Sequence, residues 1–146
     1  MSLRDLYQDI IVDHGKQPRN FGKLANANHC QMGHNPLCGD RLTLYVIERN
    51  GIVDDVRFEG VGCAISVASA SLMTEMIKGK SVHEIERIFN LFHHLVTEGK
   101  ELDGDIGKLA AFGGVAEFPV RVKCATLAWH TLKAALANNL HPVTTE

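Results

Sequence analysis

Four side chains have the types and placement to hold a soft metal or carry out thiol chemistry: Cys38, Asp40, Cys63 and Cys124. Cys38 and Asp40 belong to Asn35-Pro-Leu-Cys38-Gly39-Asp40, a turn sequence. Gly39 lets the backbone bend there, so that a thiolate and a carboxylate face one point. Cys63 follows Gly60-Val-Gly62 and precedes a run of small residues from Ala64 to Ser71. This pattern predicts a strand-to-helix turn with Cys63 at a helix N-terminus, where unpaired N–H groups favour an anion. Cys124 stands three residues after Arg121, near the start of the last predicted helix. Three thiolates and a carboxylate at the ends of elements suit a tetrahedral site for a borderline metal such as Zn²⁺ or Fe²⁺. Spacing alone leaves the ordinary alternative open. Twenty-four residues lie between Cys38 and Cys63 and sixty between Cys63 and Cys124, unlike the paired Cys-x-x-Cys of a zinc ribbon.

The other candidate ligands read as structural. Cys30 is taken as a small buried hydrophobe. The histidines read as solvated or partly buried. His93 and His94, adjacent on a predicted helix, point about 100° apart and do not share a metal easily. Four thiols spread along a chain that opens Met1-Ser-Leu-Arg-Asp5, without a basic start and apolar run, predict reduced cysteines in a cytoplasmic protein.

The elements that must position these residues follow from periodicity. Leu3, Leu6, Tyr7, Ile10, Ile11 and His14 trace one face of a helix over 3–14, with Ser2 as N-cap and Gly15 beyond its end. Residues 18–33 are polar and aperiodic. Leu42, Leu44 and Val46 then alternate with polar neighbours as one strand, and 52–60 form a second. Asn50-Gly51 between them predicts a type I′ hairpin. Ile65, Leu72 and Met76 mark a helix closing near Gly79; Ser81-Val-His-Glu84 is a capping-box sequence for another that stops near Gly99. A final helix begins near Pro119 and runs to about Asn139, with Ala125, Trp129, Leu132, Leu136 and Leu140 as its stripe. The expected architecture is α+β, a small antiparallel sheet with helices on one face.

Composition sets the outer limits. The 146 residues are 45% hydrophobic and 22% charged with a net charge of −2, fitting one domain over 1–146 with a real core. Such a balance lacks the cationic field that nucleic acid demands. Residues 60–74, the longest uncharged stretch with much apolar content, fall short of the ~20 residues of a membrane span.

The turn around Cys38 and Asp40, the segment Gly60-Val-Gly-Cys-Ala-Ile-Ser-Val-Ala-Ser-Ala-Ser-Leu-Met73 and the segment Phe118-Pro-Val-Arg-Val-Lys-Cys-Ala-Thr-Leu-Ala-Trp129 strongly resemble the U-type iron–sulfur cluster assembly family of IscU, NifU N-terminal and SufU proteins. Asp13-His14 and Pro18-Arg-Asn-Phe21 extend the resemblance over nearly the whole chain. The family's three cysteines fall on Cys38, Cys63 and Cys124 and its aspartate on Asp40. Two departures point to the SufU branch. Lys123 stands where IscU-like members carry a histidine ligand, and the segment between Cys63 and Cys124 looks longer, with a Gly-rich insertion around 98–114. The tandem-proline chaperone motif is also reduced to Pro119.

The resemblance implies a zinc-dependent sulfurtransferase that takes persulfide sulfur from a SufS-like cysteine desulfurase and passes it to a cluster scaffold or acceptor protein, with Cys38 as acceptor. Three thiolates and a carboxylate leave excess negative charge around Zn²⁺, which Arg121 and Lys123 offset if they lie close. The alternative is a scaffold on which a [2Fe–2S] cluster is assembled on the same residues. A purely structural site is the remaining reading.

Overall fold

Ser2 opens the first helix as its sequence demands. Its hydroxyl accepts the Asp5 N–H at 3.2 Å while the Asp5 carboxylate accepts the Ser2 N–H at 3.3 Å, a complete capping box for α1, Leu3–Lys16. The computed structural model describes residues 2–99, 106–138 and 141–145. Beyond α1 come β1 (His29–Asn35), β2 (Asp40–Arg49), β3 (Ile52–Val61), α2 (Ala64–Ile77), α3 (Val82–Glu98), a run of 3₁₀ turns (Gly107–Glu117), α4 (Pro119–Leu136) and the short β4 (Val143–Thr144).

The predicted hairpin is β2 and β3. Asn50 and Gly51 both take positive φ, 54° and 77°, the type I′ geometry that matches strand twist. Leu42, Leu44 and Val46 face the helices together with Val53, Val56 and Phe58. The sheet departs from the antiparallel expectation: its order is β3-β2-β1-β4, and β4 runs parallel to β1, Gly33 opposite Val143. The architecture is thus α+β on a mixed sheet.

Strand β1 was not foreseen, because its inward positions are Gln31, Gly33 and Asn35 rather than apolar residues. The cause is close packing. A Cβ on Gly33 would strike Thr131 Oγ1 and lie 3.2 Å from Leu127 Cδ1, so α4 rests directly on the β1 backbone. With those positions inward, strand alternation turns Cys30 outward, and the expected buried filler is an exposed thiol.

Helices α2, α3 and α4 meet around Trp129, which stacks on Phe92 at 4.9 Å and donates its Nε1–H to Ser69 Oγ at 3.2 Å. Phe92 in turn meets Phe112 of the 3₁₀ run edge-on at 5.6 Å. Ser81 caps α3 by accepting the Glu84 N–H, but Glu84 turns to Arg87, so only half of that capping box forms. Helix α4 ends at Leu136, short of Asn139; residues 139–140, including Leu140, lie outside the described residues. Of the Gly-rich stretch, 100–105 lie outside them too, and the remainder from Ile106 forms the 3₁₀ run. The segment after α1 runs along the outer side of β3: Gly22 N–H donates to Phe58 O at 2.8 Å, and Asn20 O accepts the Phe58 N–H at 3.0 Å. Further along, Lys80 O accepts the Val53 N–H and Gly79 N–H donates to Val53 O. No helix among the described residues is long and apolar enough to cross a membrane.

His14, expected to be solvated or partly buried, is only 2% exposed and pins α1 to α2. Its Nδ1 lies 2.7 Å from Ser71 Oγ and its Nε2 3.6 Å from Glu75 Oε1. Burial, reinforced by Arg19 and Lys108 and opposed by Glu75 and Asp13, holds its pKa below the ordinary imidazole value. A depressed folded-state pKa means that the unfolded chain binds the proton first. Stability is therefore full above about pH 6.5 and is lost as pH falls toward the folded-state value. His130, lowered chiefly by burial, adds in the same direction. Urea midpoints of the metal-free chain are expected to drop on acidification from about pH 7.5 to 5.5, less so in His14→Gln; a midpoint that rose would contradict this.

Candidate metal centre

The β1–β2 turn, the start of α2 and the start of α4 come together at one end of the sheet. Cys38 sits in the turn, with Gly39 at φ +69°, a conformation other residues adopt only with strain. Asp40 is the first residue of β2 and fully buried. Cys63 is the N-cap of α2, and Cys124 lies buried near the start of α4, which opens on Pro119. The Cys38 and Cys124 sulfurs and an Asp40 oxygen lie within 4.8 Å of one another. Cys63 stands beside this trio: its N–H donates to Asp40 Oδ1 at 2.9 Å and its Sγ lies 3.9 Å from Asp40 Oδ2.

The donor set fits a thiophilic dication. Asp40 is fully buried, and among the described residues it has no Lys, Arg or His partner. A carboxylate in that position is costly unless a cation shares the site. Burial first, then hydrogen bonds with Cys38 and Asp40, push the Cys124 thiol well above the usual cysteine range, so the bare site holds a proton that a metal would displace. Gly62 makes room for the carboxylate, since a Cβ there would lie 2.5 Å from Asp40 Oδ1. Gly62→Ala is accordingly expected to displace Asp40 and weaken Zn²⁺ binding by about 10–100-fold in competition with a chromophoric chelator; unchanged affinity would remove Asp40 from the ligand set.

Two residues of the site escaped the reading of single positions. Asn35, fully buried, donates its Nδ2–H to Cys124 Sγ at 3.6 Å while its Oδ1 accepts the Leu37 N–H at 3.2 Å. The Asn-Pro turn signal marks it, but only as a loop former. Gly62 carries no side-chain signal at all. No histidine among the described residues joins the cysteine and aspartate group.

The two basic residues part company. Arg121 lines the same cleft of ≈ 660 Å³ as Cys38, Cys63 and Cys124, its guanidinium 5.0 Å from the Phe118 ring centroid. Lys123, two residues on along α4, lines a separate depression with Thr126, His130 and Lys133. The 3₁₀ run leads into the site: Glu117 lines the cleft, and Gly114 and Val115 line an adjoining one against α1. The 3₁₀ run, which takes in the end of the Gly-rich segment, thus ends at the cysteine cleft.

A family model described as the NifU-like N terminal domain matches residues 6–143. The chain belongs to that family. Among its relatives is the zinc-dependent sulfurtransferase SufU of Bacillus subtilis, 44% identical over 138 residues, covering 93% of this chain and 92% of that protein. The iron–sulfur cluster assembly scaffold protein IscU of Thermotoga maritima is 39% identical, over 97% of this chain and all of the relative. A solved structure of a candidate iron–sulfur cluster assembly scaffold for the SUF system, from Fervidobacterium islandicum, superimposes with a TM-score of 0.83 at 38% identity, covering 92% of this chain and 99% of the other. These likenesses support the U-type iron–sulfur cluster assembly family indicated by the motifs.

Proposed function

We propose that this member of the NifU-like family is a zinc-dependent sulfurtransferase, receiving persulfide sulfur on Cys38 from a cysteine desulfurase and passing it to the cluster assembly machinery. The observation that carries this reading is the asymmetry of the donor set. Asp40 and Cys124 are buried on regular elements; Cys38 and Cys63 are both half-exposed in the open cleft, but Cys63 is held as the N-cap of α2 whereas Cys38 sits on a glycine turn. One ligand can leave while the others stay. Zinc in such a site supplies a redox-inert centre that tolerates ligand exchange at constant geometry. Once free, the Cys38 thiolate attacks the sulfane sulfur of the donor by ordinary thiol exchange. Arg121 lines the same cleft and offers a cation to an incoming anionic persulfide.

A desulfurase must bring its persulfide to this cleft, and the surroundings suit a protein partner. Leu37, Val61, Phe118 and Val120 are exposed by 62%, 68%, 49% and 51%, an apolar set on the segments that carry the ligands. The 44% identity to a zinc-dependent sulfurtransferase supports the same reading. Relatives named as IscU scaffolds support the second one, assembly of a [2Fe–2S] cluster on Cys38, Cys63 and Cys124 with Asp40.

The deciding experiment is turnover of a SufS-like desulfurase with the zinc-loaded and metal-free protein. Acceleration that requires zinc, and is lost in Cys38→Ser even where zinc is retained, supports the sulfurtransferase. If zinc blocks the response and the metal-free protein takes up iron and sulfide, the scaffold reading stands in its place.

A further inference from the structure

The thiol of Cys124 donates to the Cys38 sulfur across 3.0 Å. A disulfide has a sulfur separation of about 2.05 Å, so the two lie about 1 Å from bonding distance. The two sit in contrasting settings. Cys38 is half-exposed on the Gly39 turn, whereas Cys124, which lines the same cleft from α4, is only 1% exposed. One exposed sulfur that meets an incoming reagent, with a sheltered thiol in contact behind it, is the arrangement of a dithiol pair that resolves an adduct internally.

We propose that, when no metal occupies the site, Cys124 acts as a resolving thiol that expels sulfur carried on Cys38 as hydrosulfide and leaves a Cys38–Cys124 disulfide. This rests on the reading that Cys38 carries sulfane sulfur. The Cys124 sulfur bonds to Cys38 Sγ, and the bond from Cys38 Sγ to the sulfane sulfur breaks, its electron pair leaving with that sulfur. The Cys124 proton passes to the departing atom, so a persulfide anion and a thiol become a disulfide and HS⁻. Cys124 sulfur is oxidised, sulfane sulfur is reduced, and no outside oxidant enters. A dithiol reductant restores the pair. The observed 3.0 Å contact of Cys124 is with Cys38 Sγ, the inner sulfur of such a persulfide, and attack there favours release over migration of the sulfane atom to Cys124. Metal occupancy thereby chooses the fate of the sulfur: with Cys124 engaged as a ligand it is kept for transfer, and with Cys124 free it is given up as sulfide.

The test uses the full chain with Cys30→Ser, since Cys30 is an exposed competing thiol. Inorganic polysulfide loads the persulfide without any desulfurase, excess is removed, and the sample is divided with and without a chelator. The chelated sample is expected to lose the extra sulfur from Cys38, release one hydrosulfide per disulfide formed, and yield a cross-linked Cys38–Cys124 peptide on non-reducing mass mapping. Cys124→Ser should keep the persulfide on Cys38, and because that site is buried, the cross-link in the unsubstituted chain is an independent readout. A persulfide that outlasts chelation, sulfide released without that cross-link, or failure of polysulfide to modify Cys38 would each overturn the proposal. Loss of desulfurase-driven loading alone bears on the proposed function instead.

Discussion

Asp40→Ala is expected to lower Zn²⁺ affinity by about 100-fold or more in chelator competition, a larger effect than moving the carboxylate with Gly62→Ala. Asp40 is an oxygen ligand candidate within 4.8 Å of the Cys38 and Cys124 sulfurs, and it also accepts the Cys63 N–H at 2.9 Å. Two opposed effects act on the metal-free chain. Alanine strands that N–H, at a cost of about 1–3 kcal/mol, while removing a carboxylate buried without a Lys, Arg or His partner among the described residues acts the other way. The zinc-induced rise in Tm should nearly vanish. Asp40→Asn separates the effects: it keeps an acceptor for Cys63, loses the charge, and should bind zinc almost as poorly as alanine while gaining stability without metal. Affinity unchanged in both variants would mean that the carboxylate holds no metal.

Trp129→Ala should cost about 3–5 kcal/mol of folding stability, the largest loss expected from any single truncation in the core. Trp129 is fully buried, stacks on Phe92, and reaches Ser69, whose hydroxyl donates to Ala125 O at 2.6 Å and so ties α2 to α4. Removing it leaves a cavity at the junction of three helices and takes from Ser69 Oγ the N–H it accepts, while the Ser69–Ala125 bond remains. Because it is the sole tryptophan, unfolding must be followed by circular dichroism rather than fluorescence. A loss below about 1 kcal/mol would show that the junction repacks freely.

What the sequence made legible is whatever had a local cause. Asn50-Gly51 dictates its turn through positive φ, Ser2 caps with Asp5, and Gly99 ends α3 in the left-handed region. The four ligand candidates stood out because turns and helix starts announce themselves in short segments. Features with a distant cause stayed hidden. Strand β1 has no apolar alternation because α4 takes the space where Gly33 would otherwise need a side chain. Without a visible β1 there is no register to place Cys30, whose exposure follows only from the strand's alternation. Lys123 and Arg121, two apart in sequence, separate around α4 into different clefts, a consequence of helical rotation that only the packing of α4 resolves.

The segments bonded along the outer side of β3 have a consequence for how this protein meets others. With Phe58 engaged by Asn20 and Gly22, and Val53 by Gly79 and Lys80, that border of the sheet has little free backbone to template a foreign strand. On the opposite border the two-residue β4 covers Gly33 and His34 of the seven-residue β1. The β3 side of the sheet is guarded by its contacts against edge-to-edge aggregation. Along β3, recognition by β-strand addition is disfavoured by the same contacts.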